Sequence, residues 1–177
     1  MATNWKVDTT HSEVQFKVKH LMITTVTGYF KTFDVEVATE DDDFTKATSV
    51  VFTTEVDSVS TNNEQRDTHL KSADFFDVAN HGQIRFEGRR FEKTGDDTAD
   101  LHGELNIRGV SKLVTLKVAL GGIVVDPYGQ TKAGFTIEGK ISRKEFGLTW
   151  SAVTEAGNVV VSDDIRLQAE IQLVKQG

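Results

Sequence analysis

The chain has 177 residues, a mass of 19.6 kDa and a net charge of −7, with 38% hydrophobic residues, 27% charged residues and no cysteine. This length suits one domain, 1–177, that buries a core without metals or disulfides, and the composition excludes a disordered acidic tail, a disulfide framework and any cysteine-based metal site or nucleophile. Residues 1–88 hold 8 Lys+Arg against 15 Asp+Glu and residues 89–177 hold 12 against 12, so neither half has the basic footprint of a nucleic-acid or anionic-membrane binder.

No apolar run approaches the length of a transmembrane helix. Residues Met1–Lys6 lack a charged stretch followed by an apolar one, so the chain as given is expected to be cytoplasmic, or periplasmic if a signal peptide was removed. Phe is abundant at 11, against one Pro and two Met, which suits long strands that bury one face.

The pattern along the chain agrees. After a short apolar piece at Trp5–Val7, Asp8, His11 and Ser12 fall in one turn as mutual hydrogen-bond partners. Glu13–His20 alternates strictly, with Val14, Phe16, Val18 and His20 on one face and Glu13, Gln15, Lys17 and Lys19 on the other. A helical turn is expected over Leu21–Val26, then a strand piece at Val35–Val37 and a solvated acidic turn at Glu40–Asp43, which lacks calcium-loop spacing. Val50, Phe52 and Val56 share a phase. The alternation breaks at Asn62–Asn80, which reads as helix with Asn62 as cap and with Ser72 capping a second turn that carries Phe75 and Phe76.

Alternation returns at Ile84 and Phe86, at Leu101, Leu105 and Ile107, and from Val114 through Leu116 and Val118 to Leu120. Phe135, Ile137 and Ile141 continue it, and Ile165–Leu173 closes the series after a piece at Val159–Val161. Turns are predicted at Gly95-Asp96-Asp97, Arg108-Gly109, Gly121-Gly122, Asp126–Gly129 and Gly157-Asn158. Ser142 and Glu145 have capping-box spacing for a helical turn at Ser142–Phe146.

About eight alternating strands without a linker predict an all-β fold, and a closed antiparallel barrel removes the strand edges. A two-sheet sandwich competes. In a barrel, pairing of the first and last strands closes the wall. The inward phase includes the small residues Thr54, Gly88, Gly103, Gly139 and Ala169. Two readings stand: these residues leave a long apolar cavity, or the glycines mark bends in a barrel with a filled core. His20, at the end of its inward-facing series, is either a polar tip at the mouth of a lumen or a satisfied core histidine.

Catalysis finds little support. The nucleophile elbow, the paired-histidine metalloprotease motif, the phosphate loop and the dinucleotide fingerprint are all missing, and the five His show no metal-ligand spacing. Arg66, Asp67 and His69 read as salt-bridge and capping residues, and His102 falls on the wet phase of its strand.

The ordered motifs then carry a resemblance. Trp5-Lys6-Val7-Asp8, His11–Phe16, Gly28–Phe33, Arg66-Asp67-Thr68-His69-Leu70, Gly103–Lys112 and Ile141–Leu148 resemble the successive blocks of the YceI-like family over nearly the whole chain. The resemblance implies an extended eight-stranded antiparallel β-barrel, lipocalin-like, with a short helical segment closing one end. It also implies a tunnel for an isoprenoid lipid, a prenyl quinone or polyprenyl phosphate, or another long apolar small molecule. Motif residues expected to face this ligand are Phe16, His20, Phe30, Phe33, Leu70, Phe75, Phe76, Leu105 and Phe146. Phase adds Val18, Met22, Phe52, Phe86, Ile107, Leu116, Phe135 and Ile137.

The expected role is non-catalytic transport, storage or stress response in a bacterial protein, without cofactor or metal. Arg66 or Arg143 near His20 are candidate partners for an anionic head group. The alternatives are a stress-linked redox or modifying protein that acts on a bound quinone through His20, and a structural module with a filled core. Homodimers occur in such barrels, but no interface is legible.

Overall fold

The computed structural model describes residues 2–150 and 160–177; the expected turn at Gly157-Asn158 and the start of the Val159–Val161 piece lie outside the described residues. The strands are β1 (Ala2–Val7), β2 (Glu13–His20), β3 (Thr24–Phe30), β4 (Phe33–Glu40), β5 (Asp43–Glu55), β6 (Val59–Ser60), β7 (Gln83–Lys93), β8 (Thr98–Ile107), β9 (Val110–Val125), β10 (Thr131–Ser142) and β11 (Val161–Lys175). Among the described residues one α-helix, α1 (Glu64–Lys71), lies between β6 and β7. Neighbours pair antiparallel around β1-β4-β5-β7-β8-β9-β10-β11, and β11 returns to β1.

A 3-10 turn at Thr9–His11 separates β1 from β2, and Lys31-Thr32 separates β3 from β4. Each pair acts as one long strand, which gives a closed eight-stranded antiparallel barrel. β11 spans both halves, with Leu173 beside Val7 of β1 and Leu167 beside Phe16 of β2. The first and last strands do close the wall, which removes the sandwich alternative. Direct cross-strand partners share a face, so Phe52, Phe86 and Leu105 form one inward row. Gly139, Leu167 and Phe16 form another.

Several local expectations are corrected. Leu21–Val26 is not helical: Leu21 and Met22 turn the chain with φ of 52° and 61°, and Thr24–Phe30 is strand, as its β-branched Thr and Val favour. The helix is only Glu64–Lys71, and its cap is Asn63, whose side chain accepts from the Arg66 N–H at 2.9 Å; Asn62 sits at φ 63°. Residues after Ser72 form turns, with the Phe75 and Asp77 N–H groups donating to the Ser72 carbonyl.

Gly121-Gly122 is no turn. It lies inside β9, opposite the bulge at Gly134/Phe135. Ser142 makes no cap; its hydroxyl donates to Asp163 at 2.5 Å. Ser12 does not bond Asp8 or His11 but accepts from the Gln172 N–H at 2.9 Å. Arg108 and Gly109 do form the two-residue hairpin turn, both at positive φ.

Toward one end the barrel is plugged. Phe44 of β5 and Phe135 of β10 stand on opposite strands of the ring, yet their ring centroids are 4.8 Å apart, edge to face. Trp5, 1% exposed, packs on Phe44 at 4.8 Å and donates from its indole to Thr39 at 3.2 Å. Side chains therefore meet across the axis at this end.

Candidate functional site

At the other end the inward side chains do not meet. Phe16, Phe86 and Leu116 lie along the wall, because each covers a glycine on the next strand: Gly28, Gly103 and Gly139 respectively. A Cβ on Gly139 would stand 2.5 Å from Leu116 Cδ2. The glycines are therefore notches filled by a neighbour's side chain, rather than empty volume or simple bends. Bulk stored in the wall leaves the axis clear.

The result is an almost wholly apolar cavity of about 400 Å³. Inward residues such as Val18, Phe52, Leu116, Ile137 and Leu167 are only half-buried because they face this hollow. The filled-core reading describes one end of the barrel and not the rest.

Most ligand candidates line the cavity. β2 supplies Phe16, Val18 and His20, and β3 supplies Phe30. Phe52, Phe86, Leu105, Ile107, Leu116 and Ile137 follow around the wall, and Leu70, Phe75 and Phe76 come from α1 and the turns after it. Four candidates do not reach it. Met22 is 59% exposed, turned outward by the left-handed Leu21–Met22 backbone. Phe135 is inward but at the level of the plug, Phe33 packs half-buried against the core, and Phe146 is buried in a 3-10 turn beside the rim.

Some lining residues were not among the candidates. Val14, Ile165, Leu167, Ala169 and Ile171 also line the cavity, and their inward phase was legible. Trp150 comes from an irregular stretch, where periodicity carries no signal.

The mouth is an aromatic and cationic rim. His69, Phe75 and Trp150 pack in a triangle with centroids 5.0 to 5.3 Å apart. His69 Nε2 lies 2.9 Å from Asp74. Arg66 donates from Nε and Nη2 to Thr61, whose own N–H and hydroxyl donate to Asp67. His20 is exposed at the end of β2 and borders the hollow.

Arg143 is buried at 2% exposure, with its guanidinium spent on carbonyls: Ser162 at 2.9 Å, Leu148 and Trp150 at 2.6 Å each, and Val161 at 3.3 Å. Burial lowers its pKa, and the charge of Asp163 opposes this. Asp163 is itself held below the usual carboxylate range, chiefly by the Ser142 hydroxyl. Arg143 thus ties the rim segment carrying Trp150 to β11. Among the described residues the cavity lining includes Lys19, Arg66 and Arg143 and no carboxylate.

Among the described residues there is no cluster of three or more His, Asp or Glu that could hold a metal ion, and no helix is long and apolar enough to cross a membrane.

Residues 5–173 match the family model of the YceI-like domain. A UPF0312 protein of Staphylococcus epidermidis is 32% identical over 173 residues, covering 96% of each chain. Among solved structures, a YceI protein of Campylobacter jejuni superimposes with a TM-score of 0.77 at 31% identity, over 90% of each chain. A polyisoprenoid-binding domain from Saccharophagus degradans superimposes with a TM-score of 0.71 at 13% identity, over 97% of this chain and 98% of that one, which shows a shared fold. With the family model spanning almost every strand of the barrel, the chain belongs to the YceI-like family.

Proposed function

We propose that this protein binds an isoprenoid lipid, a prenyl quinone or polyprenyl phosphate, in the barrel cavity, and carries or stores it without chemical change. The observation that supports this reading is the cavity itself: about 400 Å³, nearly all apolar, with Lys19, Arg66 and Arg143 as its cationic lining residues. A hollow of that size falls in the range of about 300–1,000 Å³ typical of small-molecule sites. Each methylene of a guest buried there contributes about 0.8 kcal/mol, so a few isoprene units offset the cost of ordering a flexible tail. The Saccharophagus domain, alike in fold, is described as polyisoprenoid binding.

In this reading the tail lies along Phe52, Phe86, Leu105 and Ile137. The head group sits near His20, with Arg66 offering its exposed guanidinium edge to an anionic head. Arg143, already committed to four carbonyls, orders the rim rather than the head group.

Native mass spectrometry after gentle purification tests the proposal. The protein is expected to carry a hydrophobic guest, or to take up a prenyl quinone added in detergent. A protein that emerges empty and refuses prenyl quinones would overturn it.

A further inference from the structure

A second hollow of about 440 Å³ lies beyond the plug. It exists because the wall splits there. β5 and β7 pair from Glu55↔Gln83 to Val50↔Gly88. Beyond that point β5 turns to β4 through Ala47↔Thr39, and β7 turns to β8 through Phe91↔Leu101. The floor of this hollow is Phe44, Phe91, Val118, Leu120, Ile123 and Phe135, and its rim carries Asp41, Asp42, Asp43, Asp96 and Asp97 with Lys93.

The two hollows are one residue layer apart. In the pairs Phe91↔Leu101, Val118↔Ile137 and Phe135↔Ile171, the first residue lines the far hollow and the second lines the cavity. Across the axis between them stands the plug, in which Phe44 meets Phe135 edge to face and Trp5 packs on Phe44. Such a contact is weak beside the burial of several methylenes.

We propose that Phe44 and Phe135 are a tail-length gate: a long isoprenoid tail parts the two rings and ends in the far hollow, whereas a short one stops at the plug. This rests on the isoprenoid reading above. The charge arrangement sets one orientation. The far rim is acidic, while the described lining of the cavity holds cations and no carboxylate, so an anionic or strongly polar head stays at the mouth and only hydrocarbon reaches the gate.

The test is a series of ubiquinones of increasing tail length, with dissociation constants measured for wild type, Ile123→Trp and Phe44→Leu. Ile123 is partly exposed in the far hollow, so its replacement by Trp fills that space without touching the cavity. Expected are an affinity that keeps rising to long tails in wild type, a loss on the order of tenfold for long tails only in Ile123→Trp, and a gain for long tails in Phe44→Leu.

The protein has two Trp, so in Trp150→Phe the remaining one, Trp5, packs on the gate ring Phe44. Its emission is expected to shift with long tails and not with short ones, and this reading does not depend on a gate variant folding. Affinity that stops rising at short tails, with identical profiles in the variants and a silent Trp5, overturns the gate alone. Wild type that binds no ubiquinone of any length overturns the isoprenoid reading and the gate with it.

Discussion

The tip of the Phe16 ring covers Gly28, its direct partner in the β2–β3 pairing, so closely that Gly28 has no room for a Cβ. This relationship holds the ring along the wall and out of the lumen. Gly28→Ala is expected to push the ring toward the axis, at a cost of about 1–3 kcal/mol, read as a lower urea midpoint. The same variant should bind isoprenoid tails more weakly, because the displaced ring narrows the cavity.

Arg143 offers a second measurement. Its loss in Arg143→Ala would leave the Leu148, Trp150, Val161 and Ser162 carbonyls without their donor. A stability loss of roughly 3 kcal/mol is expected in denaturant melts. Arg143→Lys keeps the charge but cannot span four acceptors, so it should fall between the two.

At the opposite end, Asp8 accepts from the Thr10 hydroxyl at 2.6 Å, lies 2.9 Å from His11 Nδ1 and accepts from Lys132 at 3.2 Å. Chiefly the Thr10 bond, and then His11, hold its pKa well below the ordinary value of 3.8, while partial burial opposes them. A lowered folded-state pKa means a contribution present at neutral pH and lost as pH falls from about 4 toward the folded value. Asp8→Asn should therefore lower stability on the order of 1 kcal/mol at pH 7 and flatten the acid limb of stability against pH. An unchanged acid limb would remove Asp8 from this role.

Trp150 bridges His69 and Phe75 over the mouth. Trp150→Ala should open it, raising the release rate of a bound prenyl quinone on the order of tenfold in stopped-flow exchange, with a smaller change in the association rate.

Much of this barrel was legible because water faces one side of each strand and apolar groups the other. Glu13–His20 and Ile165–Leu173 alternate for that reason, and their register follows. What period two does not encode is depth along the axis. Phe135 and Ile137 share a phase, yet Phe135 joins the plug and Ile137 lines the cavity.

Nor does phase survive a reversal. Met22 continues the inward series of His20 on paper, but two left-handed residues turn it to solvent. The strand Thr24–Phe30 was hidden by the same turn, since its inward partner to Phe16 is Gly28, which presents no apolar side chain to count. Trp150, outside any strand, is positioned by the Arg143 bond to its carbonyl and by two ring contacts, none of which has a sequence period.

The seam between β1 and β11 joins the first and last strands of the barrel, with Trp5 beside Lys175. Within the β1-β4-β5 sheet Trp5 can pack on Phe44 before the ring closes, but the Phe44–Phe135 contact crosses the axis and needs β11 paired with β1 and β2. Closing the ring is expected to slow folding, because its contacts span such long sequence separations. A nearly complete sheet would meanwhile expose its greasy face, so the interval before sealing is when a newly made chain is most prone to aggregate.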